Sequence, residues 1–458
     1  MNDVREDKNK RYSVGGEIMV KMIEKIKNLQ GVCGLVTIMV IIAIVVGSGL
    51  GYAPLHAKEP VTLKFWNDKI GWTSVYEELF KDFTKETGIR VEVTGFYDIE
   101  GYIGTIKTLV GKPDCPDVFT WWSGKTMEEL AETGKLMDVG FAYEANPEVS
   151  KSAMDALSYK GVAYGIPFNG VLTWPIVYDR WCFAKIGAQP PKTWNDFLDI
   201  CEKLKAAGIT PFANGWASWQ GFIFPDEIAI RLYPDWYERL NSGKASYTDP
   251  EMKEALQIII DMNKKGYFGD PNYVLTLASP TEVPTSIRML ARHEAAMLYY
   301  GEWITGFLKA EGYEDWGMFM LPNINPALEV QSATLEIGPL LANKGTMHLE
   351  EVKKLLKWLL SPKAIQKLCQ MQNWVPWNIE CSKEFLPLSI RKLHEDLEKR
   401  GYRYLLRYWE AAPTKEFDVR GKFISVAQEI LVHPEKLDAL LAEVQEVNRS
   451  YWEKYGPK

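Results

Sequence analysis

Cysteine is scarce in this chain and poorly placed for chemistry. Six cysteines stand at 33, 115, 182, 201, 369 and 381 of 458 residues, and no two have the C-x-x-C spacing of zinc ribbons or thioredoxin-like sites. Five of them follow the apolar N-terminal segment described below, so at least one stays unpaired within the chain. Cys369 with Cys381, or Cys182 with Cys201, are the conceivable pairs, and free buried thiols are the favoured reading. Enzymatic signatures are missing too. His293-Glu294 is followed by Met297 where a zincin needs its second histidine, Gly124-Lys125-Thr126 ends like a phosphate-binding loop but Phe119 holds the first glycine position, and no G-x-S-x-G occurs. No catalytic residue, metal ligand or cofactor is therefore assigned. There is no basic excess either: the net charge is −7, and leaving out residues 1–57 gives 46 basic against 55 acidic residues, a net −9. That balance excludes nucleic acid as the natural partner. Internal repeats and low-complexity tracts are absent.

One stretch lacks charge altogether. From Asn28 to Ala57 there is no Asp, Glu, Lys or Arg, and Leu35 to Val46 is almost wholly aliphatic behind Lys21, Lys25 and Lys27. A basic flank, an apolar run and a small-residue end read as an export signal, with an uncleaved membrane anchor as the alternative. Cys33 precedes the apolar core, so it does not sit where a lipoprotein cysteine would.

The remainder is long enough for two or three domains, and its tryptophans, seventeen in all, fall largely in apparent loops, where rings are available to a ligand. Val61–Phe65 alternates as a strand, Ser74-x-x-Glu77 has the capping-box pattern at the start of a helix ending at Gly88, and strands follow at Ile89–Val93 and Asp117–Thr120. Strand, helix, strand, helix, strand implies a mainly parallel sheet flanked by helices, with ligands at the carboxyl ends of the strands. Trp66 to Trp72 and Trp121 to Ser123 occupy such ends. Ala163–Arg180 is interrupted by Gly165, Pro167 and Gly170, so the backbone is expected to bend there and cross into a second sheet. The same grammar then repeats: Thr193 caps a helix, Ile209–Phe212 is extended, Asn214–Trp219 is a tryptophan-bearing loop, Asp249-Pro250 starts a helix, and Ala295–Tyr300 is a strand turning at Gly301-Glu302-Trp303. Leu335–Ala342 reads as a second crossover, with Gly338-Pro339 echoing the first. Helices dominate from His348 onward.

These stretches, in this order, resemble a family: FWND with its helix, PDVFTWWSGKTMEELAETGKLMDV, YGIPFNGVLTWPIVYDRWCFAKIGAQPPKTWNDF, SGKASYTDPEMKEAL, HEAAMLYYGEW and LEIGPLLANKG. Residues 60–458 are similar to the maltose-binding-protein-like extracellular solute-binding proteins that deliver carbohydrates to ABC importers. The resemblance implies a type II periplasmic-binding-protein-like α/β fold of two lobes joined by hinge crossovers, with 1–57 as export segment or anchor, 58–168 plus 340–395 as one lobe, and 169–336 plus 396–458 as the other. It further implies a carbohydrate ligand between the lobes, an ABC permease partner, a monomer, and a periplasmic or cell-surface location. For stacking on a sugar face the candidates are Trp303, Trp122, Trp216 and Trp66; for its hydroxyls they are Asp68, Asn169, Glu302 and Glu336. Packed core rings, caps and hinge hydrogen bonds are the plain alternatives for each. A secreted glycoside hydrolase using Glu302 and Glu336 as paired carboxylates, or an adhesion module, would present a similar cleft.

Overall fold

The computed structural model describes residues 60–216, 220–270, 285–407 and 418–456. The export segment and Trp219 lie outside the described residues. No described helix is long and apolar enough to cross a membrane.

Two sheets organise the chain. The first has the order β12 (Arg403–Leu406), β11 (Ser332–Ala342), β3 (Val118–Thr120), β1 (Thr62–Asn67), β2 (Arg90–Gly95), with β6 (Gly165–Thr173) also on β11; the second runs β10 (Trp316–Phe319), β7 (Ile176–Asp179), β9 (Ala295–Tyr299), β8 (Thr210–Phe212). A small hairpin of β4 (Ser158–Tyr159) and β5 (Val162–Ala163) stands apart. The β2-β1-β3 heart of the first sheet is parallel, as expected. The second sheet departs from the mainly parallel expectation, because β7 runs antiparallel to both β9 and β10 and only β8 is parallel to β9. The cause lies in the connections: β9 and β10, joined by a crossover through helix Ile304–Ala310, run in one direction, and β7, entering from β6 of the first sheet, fills the place between them in the opposite direction.

Local sequence explains most elements. In β1, Leu63, Phe65 and Asn67 face inward while Thr62 and Lys64 face solvent. The helix Thr73–Thr87 buries Tyr76, Leu79, Phe80 and Phe83, spaced as one helical face, and stops at Gly88, whose φ is 74°. Each such apolar side chain contributes about 1.5–3 kcal/mol on burial. The capping box expected at Ser74 and Glu77 does not form: a short 3-10 turn over Ile70–Trp72 feeds straight into the helix, so Ser74 lies within the first turn and Trp72 occupies the cap position. Thr193 does cap its helix, with Asp196 returning the hydrogen bond.

Aromatic and aliphatic side chains of the first sheet pack with helices Leu349–Leu359 and Pro362–Gln372, whereas helices Gln220–Leu232, Pro250–Lys264, Val419–Val432 and Leu437–Tyr455 build the core beneath the second. Helix Leu388–Arg400 joins a further cluster with Val177, Leu298 and Trp316 of the second sheet. The five described cysteines are free and buried, as the sequence suggested.

The two expected crossovers are β6 and β11, and they pair with each other, from Leu335 opposite Thr173 to Leu341 opposite Gly165. β6 runs continuously through Pro167 rather than breaking there. It accommodates the interruption as a bulge: the register shifts between Ile337 and Pro339, Pro167 faces Pro339 where neither can donate a ladder bond, and Gly170 takes a φ of 94°. At this bulge a Cβ on Gly338 would lie 2.4 Å from Asn169 Cβ. Gly338→Ala is therefore expected to destabilise the fold by about 1–3 kcal/mol, read as a lower urea midpoint at unchanged slope. A midpoint equal to that of the parent protein would contradict the close approach.

Candidate ligand site

Three of the chain's turning points meet beside the paired crossovers. The loop after β1 supplies Asp68 and Lys69, the end of β6 supplies Thr173 with Trp174 just beyond it, Glu336 of β11 stands opposite Leu172 of β6, and the turn after β9 supplies Gly301, Glu302 and Trp303. Backbone bonds fasten the third to the second: Tyr300 N–H donates to Pro175 O at 3.2 Å and Glu302 N–H to Thr173 O at 3.2 Å.

Glu302 is almost fully buried. Its Oε1 accepts from Thr173 Oγ1 at 2.6 Å and pairs with His394 Nε2 at 2.7 Å, while its buried Oε2 has no partner. Burial alone would lower the His394 pKa, and the Glu302 carboxylate more than reverses this, raising it. Trp303 stands edge-on to Trp174, with ring centroids 4.5 Å apart, and remains partly exposed where three apolar clusters meet. Its ring lies so close over Gly301 that a Cβ there would fall 1.9 Å from it, which explains the glycine. On the other face of the Trp174 ring system sits the Arg407 guanidinium, 4.3 Å from the centroid. Arg407 is fixed by Ile223 O at 2.9 Å and Tyr299 Oη at 2.7 Å, and the Tyr299 hydroxyl in turn donates to Glu227, which also pairs with Arg231.

Across from these, Asp68 accepts from Thr120 Oγ1 at 2.6 Å and pairs with Lys69 at 2.7 Å. Lys69 Nζ lies over Trp72 and Trp122, at 5.5 and 5.6 Å. Glu336 is in the middle. Its Oε2 is buried without a partner, and burial pushes its pKa up to about 7, with Lys69 and Arg407 pulling it back and Asp68 opposing them.

The structure thus gathers Asp68, Glu302, Glu336, Trp303 and, through Lys69, Trp122. Asn169 sits in the neighbouring bulge, its Oδ1 taken by Tyr76 Oη at 2.6 Å and its buried Nδ2 without a partner. Trp66 is partly buried against Phe96. Trp216 is fully buried edge-on to Phe268 in the second core, and among the described residues no hydrogen bond or ring contact joins it to the other predicted residues. Sequence reasoning missed Lys69, Thr173, Trp174, His394 and Arg407. Thr173 and Trp174 stood in the crossover already singled out and Lys69 in the strand-end stretch Trp66 to Trp72; His394 and Arg407 carry no local signal. A separate depression of about 530 Å³, lined by Asp138, Tyr143, Glu144 and Lys151 among others, contains none of the predicted residues.

Residues 69–366 match the profile of the bacterial extracellular solute-binding proteins. The chain belongs to this family. An ABC transporter extracellular-binding protein of Pyrococcus horikoshii is 27% identical over 225 residues, 47% of this chain and 48% of that relative, so this alignment spans about half of either protein. A multiple sugar-binding protein of Streptococcus mutans is 24% identical over 364 residues, 76% of this chain and 81% of that relative. Among solved structures, a chitin oligosaccharide binding protein superposes with a TM-score of 0.74 at 20% identity, covering 86% of this chain and 99% of that one. The raffinose complex of RafE gives 0.70 at 18% identity, with 85% and 99% covered. These similarities establish the type II solute-binding fold, with its two α/β lobes and its crossovers.

The electrostatics carry a sign. Glu336 and Asp226, both lifted to about 7 mainly by burial, hold protons in the folded state that the unfolded chain has already lost above its ordinary carboxyl pKa of ~4. His394, raised above its ordinary value, acts in the same direction near neutrality. Stability should therefore fall as pH rises from about 4 through 7. Urea midpoints at pH 5 and pH 8 check this: a drop is expected for the parent protein and a smaller one for Glu336→Gln, and a rise toward pH 8 would contradict the assignment.

Proposed function

We propose that the protein binds a sugar or oligosaccharide in the cleft between its lobes, outside the cytoplasm, and hands it to an ABC importer. One observation carries the reading: among the described residues Glu302 Oε2 and Glu336 Oε2 are buried carboxylate oxygens without hydrogen-bond partners, and Trp303, next to Glu302 in the chain, keeps a part-exposed ring. An orphaned buried acceptor costs on the order of 1–3 kcal/mol. Sugar hydroxyls are the donors that would satisfy both, and the C–H face of a sugar ring suits Trp303. The sugar-binding protein of Streptococcus mutans and the oligosaccharide-binding structural neighbours support the same class of ligand.

Lobe closure goes with this reading. The lobes are proposed as 58–168 plus 340–395 and 169–336 plus 396–458. The second junction fits better before Leu386, since helix Leu388–Arg400 and Leu386 pack together beside the second sheet. Closure populates only as far as the ligand favours the closed form. The export segment at 1–57 either leaves a free monomeric protein or anchors it to the membrane.

Binding without turnover is the further part of the proposal. Glu302 is held by Thr173 and His394 on one oxygen, a placement that suits a fixed acceptor better than a carboxylate free to attack. Residues 60–458, titrated with mono- and oligosaccharides while tryptophan emission is followed, should bind a cognate sugar at micromolar strength or better, about −8 kcal/mol. Trp303→Ala should weaken that binding roughly 30- to 1000-fold. The sugar should be recovered intact. Reducing ends that accumulate with the parent protein and vanish in Glu302→Gln or Glu336→Gln would make it a hydrolase instead, and binding of other solutes only would remove the carbohydrate assignment.

A further inference from the structure

At the end of β7 remote from the crossovers, three side chains of different chemistry converge. Asp179, Cys182 and His293 bring Oδ2, Sγ and Nδ1 within 4.8 Å of one another. We propose that they form a binding site for one divalent transition-metal ion of the zinc class.

The donors are arranged as a metal site occupied by protons. Asp179 Oδ2 accepts from Cys182 Sγ at 3.0 Å and pairs with His293 Nδ1 at 2.6 Å. In a tetrahedral zinc site, bond lengths of about 2.0–2.3 Å put such donors roughly 3.3–3.6 Å apart. An ion therefore enters if Asp179 Oδ2 parts from Cys182 Sγ and His293 Nδ1 by about 1 Å or less. The carboxylate is already oriented for this. Its other oxygen, Oδ1, accepts from the backbone N–H groups of Trp181 and Cys182 at 2.8 and 3.3 Å, the kind of outer hydrogen bonding that fixes a metal-binding carboxylate. His293 is aimed by its backbone, at a φ of 62° that a β-carbon residue seldom adopts, and by contact with the Trp181 ring at 4.6 Å.

Access completes the site. Asp179 and Cys182 are buried, but the His293 side chain is 37% exposed, so an ion can enter from solvent and keep water as its fourth ligand. One thiolate, one imidazole and one carboxylate match a borderline ion such as zinc, and not the hard oxygen-seeking calcium or magnesium. In the exchange, bonds form from the metal to Sγ, Nδ1 and Oδ2. The S–H bond breaks with its proton released to buffer, and the imidazole proton moves from Nδ1 to Nε2. The dication then balances one thiolate and one carboxylate. The ion would staple the end of β7 and the following helix to the turn that leads into β9.

Cobalt(II) is the probe. Residues 60–458 with one equivalent of Co²⁺ near pH 8 should develop a thiolate-to-cobalt charge-transfer band and the intense visible bands of a tetrahedral ion, both displaced by Zn²⁺, with one proton released per ion and a higher melting temperature. Cys182→Ser should abolish the charge-transfer band, and His293→Gln should shift it to much higher Co²⁺ concentration. His293→Gln should also weaken Co²⁺ binding by more than the about 10- to 100-fold typical of losing an outer-shell partner, while Cys115→Ser leaves the spectrum unchanged. His293→Gln alters a part-exposed side chain and decides the matter if Cys182→Ser fails to fold. A closed hydrogen-bonded triad that takes up no cobalt, or a Co²⁺ affinity unchanged in His293→Gln, overturns the proposal.

Discussion

Antiparallel pairing between β6 and β11 holds two chain crossings side by side over the interval from Gly165 to Thr173. The ladder does more than link two sheets. Because β11 also pairs with β3 through its last residues and with β12 through its first, Glu336 is held within one continuous sheet, between the β3 and β12 ends of its own strand. Thr173, by side chain and backbone, and Pro175, by its carbonyl, then hold the Glu302 turn. A bulge with two facing prolines and a glycine at positive φ is the weakest part of that ladder, and so the place where it bends at least cost.

Charge is balanced around the cleft in pairs. Asp68 has Lys69 and Glu302 has His394, while Arg407 gives Nη1 to Ile223 and Nη2 to Tyr299 and lays its flat face on Trp174. Glu336 is left near both cations, and burial raises its pKa further than they pull it back. Such an arrangement suits a neutral ligand rich in hydroxyl donors. An anionic solute would meet Asp68, Glu302 and Glu336 together, at a cost that engaged cations do little to offset.

Elements defined by local periodicity were legible from the sequence. The alternation in β1, the apolar face of Pro250–Lys264 and the Thr193 cap each depend on neighbours a few residues away. Asp68, Glu302 and Trp303 could be named as candidates because turns at strand ends can be recognised and ligand groups belong there, and Glu336 because it falls in the second crossover. What escaped is nonlocal. Arg407 follows a four-residue strand and gains its role from Ile223 and Tyr299, far away in sequence; His394 sits on a helix whose pattern says nothing of Glu302. Ser74 and Glu77 matched a capping box, but the preceding 3-10 turn moved the helix start past them. Trp216 looked like a loop ring and is a core ring, because Phe268 and its neighbours close over it, which no spacing rule reveals.

The most direct measurement is a crystal structure of residues 60–458 with a bound sugar. The account expects a sugar ring against Trp303, with hydroxyls within hydrogen-bond distance of Glu302 Oε2 and Glu336 Oε2. A sugar seated instead in the depression beside Tyr143 and Glu144, with both carboxylate oxygens still without partners, would contradict it.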